Sequence, residues 1–110
     1  MHELSITESV IAAVNERVGD RKVETVTLVI GQLSGVVADS VRFCFELCAQ
    51  GTPLEGAALD IIEIPGRAHC RTCEADLELH DLIALCECGS ADLEILGGQE
   101  LTIKQVKMEV

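Results

Sequence analysis

Arg67-Ala68-His69-Cys70-Arg71-Thr72-Cys73 and, after a twelve-residue interval, Cys86-Glu87-Cys88-Gly89-Ser90 decide how the rest of the chain is read. Zn²⁺ prefers four tetrahedral thiolate or imidazole ligands, and structural sites are closed by cysteine pairs on two turns. Cys70-x-x-Cys73 has the usual spacing for such a turn. The interval is long enough for a hairpin that returns Cys86 and Cys88 to it. The second pair is one residue tighter than the common spacing, and Gly89 supplies backbone freedom just after it. The spacing leaves alternatives open. His69 or His80 can replace Cys86 beside Cys70, Cys73 and Cys88, and four thiolates also accept iron. A redox role for Cys70-x-x-Cys73 is disfavoured, because the pair does not open a helix in a βαβ unit. With all four positions filled by protein the metal is structural, and its binding folds a segment too small to hold a core of its own.

Regular elements flank this segment. Ile6, Val10, Val14 and Val18 recur every four residues and predict a helix over 5–18, with Ser5 and Glu8 at capping-box spacing. Val26, Leu28 and Ile30 share one face of a strand over 23–30. Gly31 and Gly35 bracket a turn. A second helix runs over about 39–50, with Asp39 near its start and Val41, Cys44, Phe45 and Cys48 as its apolar stripe. In that stripe Cys44 and Cys48 read as small core hydrophobes. A strand over 58–64 ends at Pro65-Gly66. In the last strand, over 100–110, apolar parity shifts from Leu101/Ile103 to Val106/Met108/Val110, which predicts a bulge or a change of environment. The fold expected is α/β (α+β): a small three-stranded sheet covered by two helices, with a zinc-ribbon-like module inserted before the last strand. Residues 1–66 and 97–110 would form one part and residues 67–96 the other, joined through Pro65-Gly66 and Gly97-Gly98.

Charge narrows the function. Among 110 residues there are 8 Lys+Arg against 19 Asp+Glu, a net charge of −11. Such a chain repels the phosphates that nucleic-acid binders must neutralise. No apolar run is long enough for a membrane helix, and no signal peptide is visible, so a cytoplasmic protein is expected. In a reducing compartment grouped cysteines are metal ligands more often than disulfides. No Ser/His/Asp arrangement exists, and Gly31-x-x-x-Gly35 lacks the lysine of a phosphate loop, so the chain does not read as an enzyme.

The start, Met1-His2-Glu3, offers a second metal chemistry. With histidine in position two, the terminal amine, the deprotonated His2 amide and the imidazole can chelate one ion. Such nitrogen-rich sets favour Ni(II) or Cu(II), and Glu3 adds a carboxylate or a further backbone nitrogen. The alternative is an exposed histidine without a role, which would leave a zinc-ribbon adaptor that transfers no metal.

Met1-His2-Glu3-Leu4-Ser5-Ile6, Ile30-Gly31-Gln32-Leu33-Ser34, Phe43-Cys44-Phe45-Glu46 and the cysteine pairs ending in Cys88-Gly89-Ser90 together resemble the HypA/HybF family of hydrogenase nickel-incorporation proteins. The resemblance runs over essentially the whole chain. It implies a nickel metallochaperone for [NiFe]-hydrogenase maturation. Nickel would be held at His2 and Glu3, with the Met1 amine as a further donor, and zinc at Cys70, Cys73, Cys86 and Cys88. The partners implied are the GTPase HypB and the hydrogenase large subunit. The family more often places two residues between the second pair of cysteines, where this chain has only Glu87.

Overall fold

Branched aliphatic residues at alternate positions make Val23–Gly31 a strand with one face for burial, and everything else is assembled on it. The computed structural model describes residues 2–81 and 84–109. Its elements are α1 (Glu3–Val18), β1 (Val23–Gly31), α2 (Ala38–Cys48), β2 (Ala58–Ile64), β3 (Gly66–Cys70), β4 (Asp76–Leu79), β5 (Leu93–Gly97) and β6 (Leu101–Met108). They form two three-stranded sheets, ordered β2-β1-β6 and β4-β3-β5. β1 is central in the first sheet, with β2 parallel to it and β6 antiparallel. In the second, β4 and β5 both run antiparallel to β3. The molecule is elongated, 53 × 25 × 18 Å.

The two helices cover one face of the first sheet. Val26, Leu28 and Ile30 of β1 are buried with Val10 and Val14 of α1 and with Val41 and Phe45 of α2. The core is therefore aliphatic apart from one phenylalanine, as the composition requires.

Both helix starts differ from the expectation. α1 begins at Glu3, with His2 as its N-cap and no side-chain cap bond. Ser5 thus lies inside the helix and the Ser5–Glu8 capping box does not form. Glu3 reaches across instead: its Oε2 accepts a hydrogen bond from the Val37 N–H at 3.2 Å. That bond ties the first turn of α1 to the start of α2, and a carboxylate in a first turn also suits the helix dipole. α2 starts at Ala38, one residue ahead of Asp39, which lies within the first turn and accepts from Arg42 Nη1 at 2.9 Å.

The parity shift in the last strand is a bulge. Thr27 pairs with Gln105 but Leu28 with Ile103, so Lys104 is the extra residue. Leu101, Ile103, Val106 and Met108 can then all lie opposite the inward-facing residues of β1.

The junction between the sheets has a third crossing that sequence reading does not supply. The turn after β1 inserts into the second sheet, where Leu33 is buried with Ala68 and Leu79. Gln32 N–H donates to Ile64 O and Leu33 N–H to Gly98 O, each at 2.8 Å, and Gly31 N–H donates to Glu100 O at 2.7 Å. Gly31, Gly66 and Gly98 are pressed together. A Cβ on Gly31 would stand 2.0 Å from Gly98 O, and one on Gly98 would stand 2.3 Å from the Gly66 Cα. Gly66 and Gly98, which sit at the two joins between the parts, are packing contacts.

Candidate metal centre

Two turns build the centre, one following β3 and one preceding β5. Cys70 ends β3; its N–H donates to Ala75 O and its carbonyl accepts from Glu74 N–H, each at 2.8 Å. The second turn closes through Cys86 N–H to Ser90 O at 2.9 Å and Gly89 N–H to Cys86 O at 2.8 Å. Gly89 has φ +91°, a conformation that glycine adopts without penalty; this is how the tighter Cys86-x-Cys88 spacing is accommodated. Thr72 Oγ1 and Ser90 Oγ lie 2.8 Å apart, and Arg71 Nη1 donates to Asp92 Oδ1 at 2.8 Å, so polar side chains clamp the turns from outside.

The sulfurs of Cys70, Cys73, Cys86 and Cys88 all lie within 4.8 Å of one another. Cys70 and Cys88 are 3.7 Å apart, and Cys73 and Cys86 3.5 Å. A tetrahedral ion with metal–sulfur bonds of about 2.3 Å needs sulfur–sulfur edges of about 3.8 Å, so the donor set fits such an ion with little adjustment. The protonation of Cys70 and Cys73 points the same way. The Cys73 N–H bonded to its sulfur pulls the Cys70 thiol down to about 6. The Ala75 N–H favours the Cys73 thiolate, but the neighbouring sulfurs of Cys86 and Cys70 outweigh it and push that thiol up to about 12. Four sulfurs this close cannot all ionise until a cation joins them. Cys70 and Cys86 are buried while Cys73 and Cys88 are exposed, so one side of the cage faces solvent.

The histidines stand apart from the cage. His69 Nδ1 lies 2.8 Å from Asp76 Oδ1, and His80 Nδ1 lies 2.6 Å from Gln32 Oε1. Among the described residues neither joins the cysteine cluster. The Asp76 hydrogen bond raises the His69 pKa. A raised histidine pKa supports folding fully below its unfolded value of about 6.5 and loses that support as pH climbs through the folded value. Asp76→Asn should therefore lower the His69 midpoint read by proton NMR; an unmoved midpoint would show that the carboxylate does not set it.

His2 is exposed at the N-cap of α1, whereas Glu3 is buried with its carboxylate engaged by Val37. Met1 lies outside the described residues. Cys44 and Cys48 are half-buried rather than fully in the core. Cys48 packs against the core, and burial pushes its thiol up. Cys44 lines a shallow hollow with Glu3, Leu4, Asp39 and Phe43. Leu33 and Gln32, which tie the second sheet to the first, had only their place between two glycines as a sequence signal.

A helix-covered mixed sheet carrying a second small sheet with four gathered cysteines defines a small protein with a metal-binding group. The family model described as hydrogenase/urease nickel incorporation, metallochaperone, HypA, matches residues 1–108, and the chain belongs to that family. Hydrogenase maturation factor HypA of Rippkaea orientalis is 54% identical over 110 residues, covering 99% of this chain and 96% of the relative. The corresponding factor of Trichormus variabilis is 49% identical over 109 residues, with the same coverage. The solution structure of the nickel metallochaperone HypA from Helicobacter pylori aligns with TM-score 0.64 at 25% identity, over 98% of this chain and 97% of that one.

Proposed function

We propose that this protein binds Ni(II) at its amino terminus and delivers it during [NiFe]-hydrogenase maturation, while zinc in the four-cysteine cage stays in place. The exposed ring of His2 at the head of a folded helix, in a member of a nickel-incorporation family, carries the reading. The Met1 amine, the His2 amide and the imidazole form the capture set. The buried Glu3 side chain holds the first turn of α1 in position and adds an oxygen or a backbone nitrogen. Nickel held by few donors at a solvent-facing end can be passed on, which suits a cargo. Thiolates at all four zinc positions leave no place for an exchanging ligand, so that ion is structural. Residues 1–66 and 97–110 form the nickel-binding part and residues 67–96 the zinc-binding part. The receiving partners are the GTPase HypB and the hydrogenase large subunit, in the reducing cytoplasm where four grouped thiols persist.

His2→Ala should abolish Ni(II) binding by calorimetry and leave the zinc content at one ion per chain. Residues added ahead of Met1 should weaken nickel binding, because the amine becomes a peptide nitrogen. Normal nickel binding and hydrogenase maturation by His2→Ala would refute the capture site and favour a zinc-ribbon adaptor.

A further inference from the structure

The first sheet has two edges of opposite character. β2 carries Asp60 and Glu63, whereas β6 (Leu101–Met108) carries Lys104 and Lys107 and no carboxylate, although the whole chain has 19 acids against 8 bases. β6 pairs with β1 on one side and, among the described residues, has no strand on the other. Along it, between α1 and the strand, run two adjoining cavities of about 640 and 450 Å³ that share Ala13 and Ile103. The first is floored by Leu101 and Ile103 and walled by the small residues Ser5, Ser9 and Ala13. The second has Val106 and Met108 beneath it, with Arg17 and Lys104 beside it. No Asp or Glu lines either cavity. Among the described residues Arg17 and Lys104 make no ion pair, whereas Lys107 is turned to Glu24 at 3.5 Å.

We propose that this groove and the open edge of β6 form a docking site for an extended acidic segment of a partner protein, added as a fourth strand. Its backbone would pair with β6. Alternate apolar side chains would fall between α1 and the strand, where Ile103 is 36% exposed, and its carboxylates would meet Arg17 and Lys104. Strand addition takes its affinity from main-chain bonds and its selectivity from pockets for every second side chain; small wall residues and aliphatic floor residues provide such pockets. Charge selects an acidic occupant over a basic one. A second copy is disfavoured. Pairing the acidic β2 of one copy with the basic β6 of the next is a head-to-tail contact that need not close.

The test uses the full zinc-loaded chain and two capped nine-residue probes, one alternating valine with glutamate and one alternating valine with lysine. The valine/glutamate peptide should shift the amide NMR signals of residues 101–106 and of Ser9 and Ala13, and bind about tenfold tighter than the lysine peptide at low salt, less so as salt screens the charges. Lys104→Glu should weaken it about tenfold by removing and reversing the charge. Ser9→Trp, which fills the groove from the helix side, should weaken it comparably. Both variants lie on exposed positions, and an unchanged thermal melt verifies that they fold. Equal binding of the two peptides, binding of neither, shifts elsewhere on the surface, or concentration-dependent self-association removed by Lys104→Glu would each overturn the proposal, the last in favour of a second copy.

Discussion

Stripping the metal from the four-cysteine cage is expected to unfold residues 66–97 and leave the helical half standing. Among the described residues the second sheet encloses a buried apolar cluster of Leu33, Ala68 and Leu79, with Leu77, Ala84 and Leu93 partly buried against it, too small to fix three short strands by itself. Structural zinc contributes about 10–16 kcal/mol of apparent folding free energy in small zinc-finger peptides, more than Leu33 and Leu79 supply at about 1.5–3 kcal/mol each with the smaller Ala68 adding less. The helical half has a separate core, including Leu28, Val41 and Leu54, that does not draw on the cage. Once unfolded, residues 66–97 become a long loop between β2 and β6. Loop-closure cost grows slowly, about 0.6 kcal/mol per doubling of length, so β6 can remain paired. With no tryptophan or tyrosine in the chain, near-ultraviolet signals are of little use; amide exchange by mass spectrometry is the suitable measurement. Chelator treatment, or Cys86→Ser, should erase protection in 66–97 and retain it in β1 and both helices. Full protection of 66–97 with all four thiols alkylated would show that the ribbon holds without an ion.

What could be read in advance depended on how local each cause is. The gathering of Cys70, Cys73, Cys86 and Cys88 was legible because metal geometry imposes a spacing on the chain. The Lys104 bulge was legible because period-two burial makes a slip visible as a change of parity. The start of α1 was not. Ser5 and Glu8 satisfy a local capping rule, but Glu3 bonds to Val37, thirty-four residues away, and that contact fixes the helix two residues earlier. Leu33 was missed for the same reason: in sequence it is one apolar residue in a turn, and only the folded ribbon gives it Ala68 and Leu79 as neighbours. At the amino terminus, the chelating chemistry of a histidine in position two is visible in the sequence, whereas the burial of Glu3 beside it depends on α2.

Gly98→Ala is expected to be among the most damaging single substitutions in the chain, and Gly97→Ala nearly silent. The neighbours differ in only two respects, and both can be stated in atoms. Gly98 has φ +95°, and a Cβ there would lie 2.3 Å from the Gly66 Cα and 2.9 Å from Pro65 O. Both obstacles are backbone, so no rotamer change relieves them. Gly97 is not held at positive φ, and a Cβ on it meets nothing within 4 Å. Moving Gly98 away would also strain the Leu33 N–H bond to Gly98 O and the Gly98 N–H bond to Glu100 Oε1, both 2.8 Å. Backbone strain at such a site costs on the order of 1–3 kcal/mol before any steric displacement, and losses above about 4 kcal/mol accompany broken packing of this kind. Gly98→Ala should therefore lose about 3–5 kcal/mol in urea unfolding, and Gly97→Ala should stay within about 0.5 kcal/mol, the range of an unconstrained surface change. The contrast separates two views of the junction. A pair of flexible hinge glycines would make both substitutions equally mild. An interlock of Gly31, Gly66 and Gly98 makes one severe, because the ribbon is seated against the helical half by backbone meeting backbone.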